Sequence, residues 1–142
     1  MITMLVIVFV ANRKKQVSND AVLSDIVDDI INSGDIRGKI VVDSSTVHPD
    51  TTKTLATKLG AVGASFVAAP VFGASPMAKA GKLIFCIAGP VAAKEAIQPY
   101  LKDVMGKSVI DLGEEPSKAS LLKISGQVFP YLQDTYYPTV DP

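Results

Sequence analysis

Four polar residues in a row, Asp43, Ser44, Ser45 and Thr46, stand out as a group that could do chemistry. They directly follow the β-branched run Ile40–Val42, and such a run predicts a strand buried on both faces of a parallel sheet. In open α/β sheets, ligands bind at the carboxyl ends of the strands. The cluster is therefore a candidate site for a phosphate or carboxylate group, but taken alone it indicates a helix cap more strongly.

His48 and Cys86 are the single histidine and the single cysteine of the chain. His48 precedes Pro49, which suits the first turn of a helix, and either His48 or Thr46 could cap that helix. A capping or surface role is therefore favoured for His48. Cys86 lies in an apolar run, which predicts a buried structural thiol. A lone cysteine also excludes an internal disulfide and a cysteine-rich zinc site.

The composition indicates one globular domain with a sizeable core. The 142 residues are 48% apolar, and the 14 acidic and 14 basic side chains cancel to a net charge of zero. This balance disfavours nucleic acid as a partner. The apolar residues 1–10 are too few to span a membrane, and no basic region precedes them, so they predict a buried strand.

Helical and strand patterns alternate after residue 18. Strands are predicted at 40–42, 65–69, 82–88 and 108–112, and helices at 19–32, 49–59, 77–80, 90–104 and from 117 onward. The segment 70–76 is predicted to be a turn. The alternation predicts an α/β fold with a doubly wound, mostly parallel sheet. The strand at 82–88 is expected to run antiparallel at the sheet edge.

No G-x-G-x-x-G turn, Walker loop, H-E-x-x-H or G-x-S-x-G motif occurs in the sequence. Four other segments resemble the β-hydroxyacid dehydrogenase family, which includes 3-hydroxyisobutyrate and 6-phosphogluconate dehydrogenases, and look most like its fungal members. They are VSNDAVL (17–23), GKIVVDSSTVHP (38–49), FVAAPVFGASPMAKAGKLIFCIAG (66–89) and SKASLLKISG (117–126). The resemblance implies a partial Rossmann-type fold, the second half of an NAD(P)-binding domain over residues 1–126, with the start of an interdomain helix.

The resemblance also implies an oxidoreductase that moves a hydride between NADP or NAD and a small hydroxyacid or carbonyl substrate. Lys123 matches the general acid/base of the family, and a partly desolvated lysine suits that role. The positions that match cofactor contacts are Val17, Ser18, Ser45 and Thr46.

The positions that match substrate contacts are Gly73, Ala74 and Gln127, and here the chain departs from the family. Family members often carry a serine, which helps to hold the substrate carboxylate, where this chain has Phe72. A bulkier or more apolar acid is therefore expected. Gln127 stands where asparagine is usual, four residues after Lys123 on the same helix face.

The resemblance breaks at both ends of the chain. The family's first βαβ unit, with its glycine turn, is expected before residue 1. Pro130 and Pro138 predict that no continuous helix follows residue 126, so residues 127–142 are expected to be a divergent tail. We therefore hypothesise a truncated or mis-spliced gene product; a transcript that proved complete and unspliced would overturn this.

Two functional classes remain open. The first is the dehydrogenase, whose isolated chain is expected to be weak or inactive. The second is a non-catalytic α/β module that binds nucleotide or another protein. An exposed sheet edge predicts self-association, so a homo-oligomer is a further expectation. No membrane association is expected, and the location is predicted to be cytoplasmic, with mitochondria as the alternative.

Overall fold

The computed structural model describes residues 19–73 and 75–136, and side chains within 20–73 and 76–126. The strand predicted over residues 1–10 lies outside this part of the chain. The helices and strands follow the order α1 (Asn19–Asn32), β1 (Ile40–Asp43), α2 (Pro49–Ala61), β2 (Ser65–Ala68), β3 (Val71–Phe72), α3 (Ser75–Lys79), β4 (Leu83–Ile87), α4 (Val91–Leu101), β5 (Gly106–Asp111) and α5 (Ser117–Tyr136).

The start of α2 confirms the predicted cap. Pro49 occupies the first turn, where its missing N–H leaves no hydrogen bond unmade. The side chain of His48 is the N-cap: its Nδ1 accepts a hydrogen bond from the backbone N–H of Asp50 at 3.2 Å. His48 is exposed, which agrees with the predicted surface or capping role.

The strands form a mixed sheet with two parallel pairs. β1 pairs with β2 in parallel, Asp43 opposite Ala68, and β4 pairs with β5 in parallel. β3 pairs with β4 in the antiparallel sense, Phe72 opposite Ile84. The antiparallel bridge between Ala68 and Ala88 continues that register and joins the two halves. β4 and β5 therefore run opposite to β1 and β2.

Two expectations about this region need correction. The strand over 82–88 is antiparallel to β3 as predicted, but it does not lie at the edge, because β5 pairs with its other side. Residues 71–72 form β3, although the segment 70–76 was expected to be a turn. Pro70 has no N–H to donate, but its carbonyl accepts the N–H of Cys86 at 2.9 Å, so the strand line continues through it.

Helices cover both faces of the sheet, as the doubly wound pattern requires. Alternate strand residues point to opposite faces. Val41 and Phe66 pack on one face with Leu55 of α2, and Val42 and Ile97 pack on the other. All four residues of β1 are buried, which confirms the prediction from its β-branched run.

The last helix corrects a third expectation. Pro130 was predicted to exclude a continuous helix, yet α5 runs from Ser117 to Tyr136. A proline removes one intrahelical hydrogen bond, and a helix can bend at that point instead of ending. The domain boundary at residue 126 stays a prediction. In the ranges that the structure describes, no helix combines the length and apolar character needed to cross a membrane.

Candidate active site

The carboxyl end of β1 is held by a buried turn. Asp43 is 2% exposed, and its Oδ1 accepts a hydrogen bond from the backbone N–H of Ser45 at 2.9 Å. Burial raises the pKa of the Asp43 carboxyl, while its hydrogen bonds with Ser45 act in the opposite direction. Asp43 therefore shapes the turn from inside and does not present its charge to solvent.

Hydroxyl groups follow Asp43 where the chain enters α2. Ser44 and Ser45 are buried and Thr46 is half-buried. Within the described part of the chain, the Oγ atom of Ser44 is buried without a hydrogen-bond partner. A buried hydroxyl left without a partner is destabilising. A hydroxyl group can donate and accept hydrogen bonds, so these residues fit the ribose hydroxyl and carboxamide groups of a nicotinamide nucleotide.

Contacts between α5 and α2 position Lys123. The hydroxyl oxygens of Thr52 and Ser120 lie 2.6 Å apart in a buried hydrogen bond, and Ala119 beside Ser120 is fully buried. Lys123 follows Ser120 by three residues and so lies on the same helix face. Lys123 is half-buried, and its Nζ lies 4.5 Å from the centre of the Phe72 ring, a cation–π contact.

The strand register places this contact toward the same edge of the sheet as the polar turn. Asp43, the last residue of β1, lies opposite Ala68. From Ala68 the chain keeps the direction of β2 and runs alongside β4 as far as Phe72. Ala68 lies opposite Ala88 of that neighbouring stretch, and Phe72 lies opposite Ile84. At the usual rise per residue, Phe72 lies roughly 13 Å beyond the end of β1. Lys123 therefore lies beyond the carboxyl end of β1, the direction in which Thr46 leaves the strand.

Cys86 lies within β4, in the interior of the protein. It is fully buried. Burial raises the pKa of the Cys86 thiol, and the nearby charge of Lys123 opposes that shift. A protonated, buried thiol is a poor nucleophile, so Cys86 is structural, as predicted.

The structure describes some of the other predicted site residues and is silent on the rest. Gly73 follows Phe72 with a φ of 135°, a backbone conformation that favours glycine over residues with a side chain. Gln127 falls within α5, but its side chain is not described. Three further predicted residues, Val17, Ser18 and Ala74, lie outside the described residues.

Sequence reasoning missed the contacts that connect these elements. It noted Phe72 only as a departure from the family, without its contact with Lys123. The hydrogen bond between Thr52 and Ser120 joins residues 68 positions apart. No local pattern carries such information; the sequence placed only Gln127 on the helix face of Lys123.

Comparison with known proteins decides the family. Residues 4–113 match the family described as the NAD binding domain of 6-phosphogluconate dehydrogenase. The chain belongs to this family. The predicted family and cofactor class, NAD or NADP, are thereby confirmed. The match ends before the segment 117–126, so the role of Lys123 rests on the resemblance and the geometry.

Individual relatives agree with this assignment. An NADH-dependent oxidoreductase of Aspergillus ustus, ucdB, is 39% identical over 92 residues, which cover 65% of this chain and 30% of the relative. The mitochondrial 3-hydroxyisobutyrate dehydrogenase of Drosophila melanogaster is 36% identical over 95 residues, which cover 67% of this chain and 29% of the relative. The chain thus spans about 30% of the length of these relatives.

A solved structure confirms the fold. The 3-hydroxyisobutyrate dehydrogenase ygbJ of Salmonella typhimurium superposes with a TM-score of 0.75 at 24% identity. The superposition covers 94% of this chain and 44% of that chain. The predicted α/β, Rossmann-type architecture is therefore correct.

Proposed function

We propose that this chain is the nicotinamide-nucleotide-binding part of an oxidoreductase of the β-hydroxyacid dehydrogenase type. Its substrate would be a small hydroxyacid or the related carbonyl compound. One observation carries the proposal. Lys123, half-buried against Phe72, lies beyond the carboxyl end of β1, and Ser45 and Thr46 follow directly from that same end.

Each residue then has a distinct task. Ser45 and Thr46 would bind and orient the cofactor, together with Val17 and Ser18. Lys123 would donate a proton to the carbonyl oxygen during reduction, or accept the hydroxyl proton during oxidation. The backbone at Gly73 and Ala74 and the side chain of Gln127 would orient the substrate. The bound nicotinamide supplies or accepts the hydride.

Titration of the purified chain with NADPH and with NADH tests cofactor binding. Nicotinamide fluorescence and the melting temperature are followed together, because a ligand that binds only the folded state stabilises it by about 2.7 kcal/mol at 100 times its Kd. Thr46→Val should weaken binding. The matched control is Thr57→Val, an exposed position later in α2. A folded chain that shows no saturable binding at millimolar cofactor would overturn the proposal.

Turnover with a panel of hydroxyacids tests the chemistry. Because the chain spans about 30% of the length of its curated relatives, we expect its activity alone to be weak or absent. Lys123→Ala should abolish any activity that the wild type shows and leave cofactor binding intact. Lys118→Ala, exposed on the same helix, serves as the control. Full activity in Lys123→Ala would exclude this lysine as the acid/base.

We also propose a homo-oligomer and a cytoplasmic location, with mitochondria as the alternative that the Drosophila relative suggests. Light scattering on the purified chain would measure its mass in solution, and a monomeric mass would contradict the first proposal. Imaging of the tagged protein in its own cells would decide between the two compartments.

A further inference from the structure

Phe72 occupies a point where three parts of the candidate active site meet. It ends β3, it immediately precedes Gly73, and its ring contacts α5. Its backbone is fixed by antiparallel pairing with Ile84 of β4. The sheet therefore fixes the backbone from which the ring projects.

Because Gly126 has no side chain, the ring of Phe72 can pack directly against α5 at this position. A Cβ at this helical position would lie 2.6 Å from Cζ and 2.9 Å from Cε1 of Phe72. No side chain larger than hydrogen fits there unless the ring moves. Glycine inside a helix is unfavourable relative to alanine, so the close approach of the ring gives a physical reason for this residue.

The ring also contacts Lys123, one turn before Gly126 on the same helix face. The Nζ of Lys123 lies 4.5 Å from the ring centre, over the face that carries the negative part of the aromatic quadrupole. One aromatic side chain thus contacts the backbone of α5 with its edge and the ammonium group with its face. This arrangement limits the directions that the flexible lysine can take.

Any substrate of Lys123 must lie close to the same ring. An oxygen atom that exchanges a proton with Nζ lies about 2.9 Å from it, and hence within roughly 7.5 Å of the ring centre. A substituent next to that oxygen is therefore within reach of the apolar surface of Phe72. At residue 72 it meets no hydroxyl group that could bind a carboxylate.

We propose that Phe72 positions Lys123 and sets the substrate class, a hydroxy or carbonyl compound whose apolar substituent packs on the ring. The positioning half rests on the contacts alone. The substrate half rests on the proposed function of the chain.

Lysine methyl signals in NMR test the positioning half without cofactor or turnover. Reductive methylation of the full chain with ¹³C-formaldehyde keeps each lysine cationic, and the Lys123 signal is the one missing in Lys123→Arg. Protons above a ring face are shielded, so this signal should lie upfield of those of the exposed lysines. The upfield shift should be lost in Phe72→Leu and kept in Phe72→Tyr.

Gly126→Ala provides a second variant that keeps both partners. Its new methyl group must displace the ring, so the Lys123 signal should move toward the position of the exposed lysines. Thermal melts of each variant confirm that it is folded. A wild-type signal without the upfield shift, or a shift that survives in folded Phe72→Leu, would overturn the positioning half.

Relative turnover tests the substrate half. Two hydroxyacids are compared, one with an aliphatic substituent and one with a second carboxylate in its place. Phe72→Ser should lower the kcat/KM preference for the aliphatic compound by about tenfold, and Phe72→Tyr should retain that preference. An unchanged ratio in Phe72→Ser would overturn the substrate half. Absence of turnover in a wild type that binds cofactor would overturn the substrate half and leave the proposed function standing, and the methyl signals would still decide the positioning half.

Discussion

β1 and β5 each end in the same kind of local turn, but the pKa values of the aspartates in the two turns shift in opposite directions. In each strand the last residue is an aspartate whose Oδ1 accepts a backbone N–H two residues further on. The distance is 2.9 Å from Ser45 to Asp43 and 2.8 Å from Gly113 to Asp111. Burial raises the pKa of the Asp43 carboxyl, whereas hydrogen bonds from Lys94 and then from the Gly113 amide lower that of Asp111.

The difference comes from the surroundings of each turn. The Asp111 side chain is 56% exposed and pairs with Lys94, whose side chain is only 7% exposed, at 2.5 Å. The Lys94 ammonium also donates to the carbonyl of Gly113 at 3.0 Å, so this turn holds α4 against β5. The buried Asp43 instead shapes the edge that leads toward Lys123. The same local turn thus joins two elements through the Lys94–Asp111 ion pair at β5 and borders the candidate active site at β1.

Removal of the charge of Asp111 should have the largest effect on stability. Asp111→Asn leaves the buried Lys94 without its carboxylate, and we expect a loss of about 2 kcal/mol in the free energy of unfolding. Urea unfolding at pH 7 measures it. Asp25→Asn, an exposed position in α1, is the matched control and should change stability by less than about 0.5 kcal/mol. Equal losses of unfolding free energy in both variants would show that the Lys94–Asp111 ion pair does not stabilise the fold.

Loss of the buried hydrogen bond between α2 and α5 should have an intermediate effect. Ser120→Ala leaves the Thr52 hydroxyl without this partner, at a cost of about 1 kcal/mol. The double variant Thr52→Val with Ser120→Ala removes both polar groups and should recover part of that loss. Purely additive losses in the double-mutant cycle would contradict a direct coupling between the two hydroxyls.

Asp43→Asn should have the smallest effect on the free energy of unfolding at pH 7, less than about 1 kcal/mol, because asparagine keeps the acceptor oxygen and removes a buried charge.

The contributions of the two aspartates to stability should depend on pH with opposite signs. Asp43, with a raised pKa, stabilises the fold fully below its ordinary value of 3.8, and this stabilisation is lost as pH rises through the folded pKa. Asp111, with a lowered pKa, stabilises the fold above 3.8, and this is lost as pH falls through the folded pKa.

Unfolding between pH 7 and pH 3 measures both slopes. On acidification, wild type should gain stability relative to Asp43→Asn and lose it relative to Asp111→Asn. Slopes of the same sign would show that the two turns do not differ in the way described above.

The sequence predicted the features that local patterns determine. The β-branched run gave the buried β1, Pro49 and His48 gave the start of α2, and the four polar residues gave the candidate edge. Features that depend on distant partners were not predictable. The partner of Lys94 lies 17 residues away on another element, and Val71 and Phe72 form a strand only because β4 lies beside them. Pro130 misled the prediction because a proline removes one hydrogen bond of a helix without always ending it.

The claim that the cofactor binds at the carboxyl end of β1 is tested most directly by NMR titration of the ¹⁵N-labelled chain, once with NADPH and once with NADH. We predict that one or both cofactors shift the amide signals of Ser45 and Thr46 in a saturable way, and that those of Leu112 and Gly113, at the β5 turn, stay in place. Saturable shifts at Gly113, or none at Ser45 and Thr46 with either cofactor in a folded chain, would contradict this placement.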